Sequence, residues 1–128
     1  MFLIKAPEVE LTLVICSNTN IRKFYVANLV MRGHFALGAP NLANQDADFW
    51  PREAPELVVI WGSESQMEDD IGLLQLHYSV PIPIVVIDND APSQEWMRVW
   101  GIVAYTDNLW DSQHLVGFLS QWLSSAAE

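Results

Sequence analysis

Three short apolar runs constrain the fold of this chain of 128 residues more than any other feature. They are LTLVIC at Leu11–Cys16, LVVIW at Leu57–Trp61 and IVVI at Ile84–Ile87. Each run is rich in β-branched residues, and none alternates apolar with polar positions. Strands of a parallel sheet that is covered on both faces have this pattern. We therefore expect these runs to be buried strands of one parallel sheet.

Segments of helical length separate these runs, and two weaker strands are predicted at Phe35–Ala39 and at residues 102–105. Helices are predicted at residues 21–32, 42–49, 69–77, 93–100 and 112–124. The last of these has apolar residues at i, i+3, i+4, i+7 and i+8 from Leu115, which is a stripe that faces a core. Strict alternation of strands and helices predicts an α/β fold, a doubly wound five-stranded parallel sheet with helices on both faces.

Composition limits the classes of function. With 51% hydrophobic residues, the chain is long enough to bury the core of a single domain. Its net charge is −10, which argues against direct nucleic-acid binding and against binding to an anionic membrane. A single cysteine excludes an internal disulfide, so we expect a reducing, cytoplasmic location. The three histidines lack the spacing of metal ligands, and no cofactor or metal is predicted.

The segment ICSNTNIRK separates Cys16 from Arg22 by five residues at the end of the first strand. It resembles the signature loop of the low-molecular-weight tyrosine phosphatases, which implies Cys16 as nucleophile and Arg22 as phosphate ligand. However, the loop has no glycine, and Lys23 stands where that family has a hydroxyl residue. A cysteine phosphatase is therefore the alternative, and the favoured interpretation makes Cys16 a small buried apolar residue and Arg22 a cation on the helix surface.

Several signals follow one another in order over about residues 10–124. Arg22 and Gly33 fall near the start and at the end of the first helix, Pro55 and Pro83 precede LVVIW and IVVI, and Gly101 begins the last strand. In their order and spacing, these signals resemble the response-regulator receiver domains. The resemblance implies a flavodoxin-like sheet with strand order 2-1-3-4-5. It also implies a leader at residues 1–10, a receiver-like domain at 11–124, and a tail at 125–128 where a linker to an effector domain would begin.

The positions that carry the chemistry of the receiver family all differ in this chain. The resemblance places the phospho-acceptor position at Trp61 and the two Mg²⁺-binding positions at Cys16 and Ser17. The hydroxyl position falls on Asp88 and the lysine position on Asn108. Phosphoryl transfer needs an acceptor carboxylate, a Mg²⁺ ion held by oxygen ligands and a cation. We therefore predict an atypical receiver, or pseudo-receiver, with no catalytic residues and no metal.

An aromatic group remains as the candidate interaction face. Trp96 and Trp100 are four residues apart on one predicted helix, and Tyr105 and Trp110 lie on the last strand and its exit loop. In receivers, the face of the fourth helix, fifth strand and fifth helix commonly dimerises or binds effectors. We expect a constitutive homodimer or binding to a protein partner or effector domain. Two alternatives are rings that only pack the core, and a small-ligand sensor that uses the space beside Trp61.

Overall fold

The structure is a computed structural model that describes residues 11–87 and 92–106. These residues form a five-stranded parallel sheet in the order β2-β1-β3-β4-β5. The strands are β1 (Leu11–Cys16), β2 (Phe35–Ala39), β3 (Leu57–Trp61), β4 (Ile84–Ile87) and β5 (Ile102–Thr106). The fold class, the five strands and their order are confirmed. The predicted helix at residues 112–124 lies outside the described residues, as do the leader and the tail.

The sheet is buried on both faces, which is why its strand sequences do not alternate. On one face, Ile15, Val58 and Val86 pack against helix α2 (Glu64–His77) in a cluster that we name the α2-side core. On the other face, Val14 and Val85 pack against helix α1 (Thr19–Met31) in the α1-side core. Successive strand residues point to opposite faces, so a strand covered on both sides needs apolar residues at every position.

Three helices connect the strands, and side-chain caps define where they begin. They are α1 (Thr19–Met31), α2 (Glu64–His77) and α3 (Gln94–Trp100). The side chains of Asn18, Ser63 and Ser93 each accept a hydrogen bond from a backbone N–H of the first turn. Because Ser63 caps α2, this helix begins five residues before the predicted start at residue 69. None of the helices in the described ranges is long and apolar enough to cross a membrane.

The predicted helix at residues 42–49 is wrong, because the chain forms only a short 3-10 turn there, at Ala47–Phe49. The backbone N–H of Leu42 donates to the carboxylate of Asp70 at 3.0 Å. The Asn41 side chain accepts from the N–H of Asn44 at 3.2 Å. Such side-chain bonds compete with helical hydrogen bonds. The connection from β2 to β3 is therefore mostly a loop. Phe35, at the start of β2, is 60% exposed.

Candidate functional site

The carboxyl ends of three neighbouring strands lie side by side, where the sequence predicted the degenerate receiver pocket. Cys16 at the end of β1 is in register with Trp61 at the end of β3, and Trp61 is in register with Ile87 of β4. The indole of Trp61 is partly buried and packs against the α1-side core. At the described ends of these three strands, no residue carries a carboxylate. Asp88 and Asn108, the other two predicted positions, lie outside the described residues.

Cys16 is buried, with 1% of its surface exposed. Its Sγ donates to the backbone oxygen of Asn18 at 3.5 Å. Burial raises the pKa of the Cys16 thiol, while the Asn18 backbone and the charge of Arg22 lower it by less. A nucleophilic cysteine needs the opposite shift, since the thiolate is the reactive form. The raised pKa therefore disfavours the reactive thiolate at this position.

Arg22 makes its contacts within the protein rather than lying free on the helix surface. Its Nη1 donates to the backbone oxygen of Cys16 at 2.7 Å. The methylene groups of its side chain cross Gly38 of β2, where an added Cβ would lie 2.9 Å from Arg22 Cγ. A glycine inside a strand is a signal for such a close approach, and sequence reasoning did not use it. The guanidinium therefore stabilises the backbone at the end of β1.

A polar pocket of about 210 Å³ lies beside Trp61. Asp70 of α2 lines it and is only 5% exposed. Burial raises the pKa of Asp70, the N–H of Leu42 lowers it by less, and the neighbouring Asp69 raises it further. The other polar residues that line the pocket are Ser17, Asn41, Asn44, Gln66 and Asp69.

The same pocket gives no support to metal binding. Within residues 11–87 and 92–106, no group of three histidine, cysteine or acidic side chains is arranged to hold a metal ion. Asp70 instead holds the loop after β2 through its bond to Leu42. Sequence reasoning missed this role because the partner N–H is 28 residues away and carries no local signal.

The described side chains of the predicted aromatic face are neither fully buried nor fully exposed. Trp96, Trp100 and Tyr105 are each partly buried and pack against the α2-side core. The indole Nε1–H of Trp96 donates to Glu68 of α2 at 2.8 Å. Beside Trp100, Val99 is 65% exposed. Trp110 lies outside the described residues, so the structure describes three of the four predicted aromatic residues.

Comparison with solved structures identifies the architecture. A response regulator receiver protein from Pseudomonas putida covers 91% of this chain and 99% of its own, with a TM-score of 0.69 and 20% identity. A receiver protein from Burkholderia phymatum has a TM-score of 0.62 and 16% identity, covering 89% of this chain and 94% of its own. An orphan response regulator of H. pylori has a TM-score of 0.61 and 16% identity, with 87% and 93% covered.

No protein-family model matches the sequence, and no curated protein matches it either. The likeness therefore rests on the three-dimensional arrangement. The sheet has the strand order β2-β1-β3-β4-β5 that is expected of a receiver, and both of its faces are covered. The match extends over nearly the whole length of each solved receiver. This chain has the receiver-like, flavodoxin-type fold of the response regulator receiver domains.

Proposed function

We propose that this domain is a phosphorylation-independent signalling module, a pseudo-receiver that acts by binding a second copy or a protein partner. The observation that carries the proposal is Trp61 at the end of β3, in register with Cys16. An indole has no oxygen to accept a phosphoryl group, and a buried thiol is a poor ligand for Mg²⁺, which prefers oxygen. At the position of Trp61, the chemistry that switches a conventional receiver therefore lacks an acceptor.

The cysteine phosphatase alternative receives no support from the geometry. A phosphate-binding arginine must present its guanidinium to the loop, whereas that of Arg22 bonds to the backbone of Cys16 at 2.7 Å. Burial raises the pKa of the thiol, so the nucleophilic thiolate is disfavoured. We therefore assign no catalytic role to Cys16 or Arg22.

The surface that we propose for self-association contains Trp96, Trp100, Tyr105 and Trp110. Support comes from α3, none of whose residues is fully buried, although it carries two tryptophans. Large aromatic side chains that are partly exposed are favoured at the centres of protein interfaces. Val99, on the same helix, adds apolar surface that is 65% exposed. Because this face needs no phosphate, dimerisation depends only on protein concentration.

The absence of a phosphorylation switch is tested with beryllofluoride, a mimic of the phosphoryl group. Unfolding is followed in Mg²⁺ alone and in Mg²⁺ with beryllofluoride, and we expect identical melting temperatures. A bound mimic at 100 times its dissociation constant would stabilise the protein by about 2.7 kcal/mol, which is a shift of several degrees. Such a shift would overturn the proposal. Hydrolysis of an aryl phosphate that disappears in Cys16→Ser would establish the phosphatase instead.

The proposed face is tested by sedimentation equilibrium over a wide range of concentrations. We expect a reversible dimer in the wild type and at least a tenfold weaker association in Val99→Glu, because a charge would be buried in the interface. Phe35→Glu is a matched control, since Phe35 is 60% exposed and lies on β2 at the other side of the sheet. A monomer at every concentration, or equal loss in both variants, would refute this face.

A further inference from the structure

We propose that the free edge of β2 and the adjoining side of α1 bind an extended acidic segment of a partner protein, which adds to the sheet as a sixth strand. The inference rests on the proposed function in one respect, that the domain acts by binding another protein. It concerns a different surface from the aromatic face at α3.

The first observation is the edge strand itself. β2 is the outermost strand of the sheet, and no strand among the described residues pairs with its outer side. Its sequence, FALGA, has neither a charged residue nor a proline. Proteins commonly use such residues to keep an edge strand from pairing with another chain. The backbone donors and acceptors of β2 are thus open to a further strand.

The second observation is apolar surface beside that edge. Val30 of α1 is 53% exposed and Phe35 of β2 is 60% exposed. Both line a shallow groove of about 490 Å³, together with Leu11, Ala36 and Leu37. An added strand would cover these side chains.

The third observation is the segregation of charge. No acidic residue occurs between Glu10 and Asp46, although the chain has 16 acidic residues. The same stretch carries Arg22, Lys23 and Arg32, which are half of the 6 basic residues. The guanidinium of Arg22 is bonded within the protein, whereas Lys23 and Arg32 are exposed. The charged residues that α1 and β2 contribute to this acidic domain are therefore all basic.

The two faces of β2 predict which types of residue alternate along the partner strand. The α1 face is basic, because Lys23 lies seven residues before Val30 and so on the same side of the helix. Side chains at alternate strand positions point to opposite faces, so Phe35 lies on the face opposite Gly38, which contacts α1. A partner strand with alternating acidic and apolar residues satisfies both faces, while main-chain hydrogen bonds join it to β2.

A second copy is the less suitable occupant of this edge. Antiparallel pairing of β2 with the β2 of another copy would place the two basic stretches beside one another. Like charges in such positions repel, and this repulsion weakens the pair. Charge complementarity therefore favours an acidic partner.

The test uses the full chain and a fluorescent eight-residue peptide of alternating valine and glutamate, with a valine–lysine peptide of equal length as comparison. We expect the acidic peptide alone to bind, and several-fold more weakly when salt rises from about 50 to 500 mM. We expect Phe35→Glu and Arg32→Glu to weaken binding at least tenfold. Val99→Glu and Arg98→Glu, which change an exposed apolar residue and an exposed arginine on α3, should change it less than twofold. Backbone amides of β2 should gain protection from hydrogen exchange.

Several results would overturn the inference. Equal binding of both peptides, or binding that Phe35→Glu leaves intact, would exclude this edge. Binding only after deletion of residues 1–10 would make that segment the occupant, and self-association lost in Phe35→Glu would make it a second copy. Loss of dimers in Val99→Glu does not affect the peptide measurement, so failure of the α3 face and failure of the β2 edge remain distinguishable.

Discussion

Gly38→Ala is the change that best tests whether Arg22 has a structural role. The added Cβ would lie 2.9 Å from Cγ and 3.1 Å from Cδ of Arg22, and 3.1 Å from Cγ2 of Val26. The Arg22 side chain must move, and its bond of 2.7 Å to the Cys16 oxygen is strained or lost. A hydrogen bond to a charged group contributes about 1.5–3 kcal/mol, and overpacking costs about 1–3 kcal/mol. Because Arg22 is only half-buried, we expect both contributions at or just below the lower ends of their ranges, about 2 kcal/mol in all.

A double-mutant cycle with Arg22→Ala separates the two contributions. In the absence of the Arg22 side chain, Gly38→Ala crowds only Val26, and the lower entropy of the unfolded chain offsets part of that cost. We expect the cost of Gly38→Ala to fall below about 1 kcal/mol, a coupling of about 1 kcal/mol. The measurement is urea unfolding followed by circular dichroism. Costs that add within about 0.3 kcal/mol, or an Arg22→Ala variant as stable as the wild type, would refute the structural role.

Two further predictions concern buried polar groups. Burial raises the pKa of Asp70, so this group favours the folded state less as the pH rises from the ordinary carboxyl pKa through the raised one. Asp70→Asn keeps an acceptor for Leu42, and we expect the wild type to lose stability relative to this variant as the pH rises above the ordinary carboxyl pKa. A difference in urea midpoint that stays constant with pH would contradict the assignment. Tyr78→Phe removes a bond of 2.6 Å to the Pro51 oxygen and should cost about 1 kcal/mol. Tyr25→Phe is the matched control: its buried hydroxyl has no partner among the described residues, so its loss should be neutral or stabilising, and an equal cost for both would contradict the reasoning.

The sheet could be predicted from the sequence because its signal is local. LVVIW and IVVI are apolar at every position, and a strand covered by helices on both faces requires this. The loop after β2 could not be predicted in the same way. Its sequence has the length and composition of a helix, but the bond between Leu42 and Asp70 joins residues that are far apart in the chain. Local propensity contains no information about such a partner.

The candidate site was predictable in position but not in its supporting contacts. Cys16 and Trp61 come together because β1 and β3 are neighbours in the sheet, an order that the resemblance to receiver domains implied. The bracing of Arg22 across Gly38 depends on the separation between α1 and β2, which no single residue specifies. Side-chain burial at Asp70 likewise depends on how the loop folds over α2.

Trp61 at the end of β3 also has a consequence for timing. A conventional switch of this fold records a past stimulus in a covalent bond, and the lifetime of that bond sets how long the response lasts. An indole at this position keeps no such record. Under the proposed function, the duration of a signal equals the residence time of the complex, and the response follows changes in partner abundance with a delay set by the dissociation rate. Substitutions that alter the dissociation rate of the complex would therefore change directly how long the response lasts.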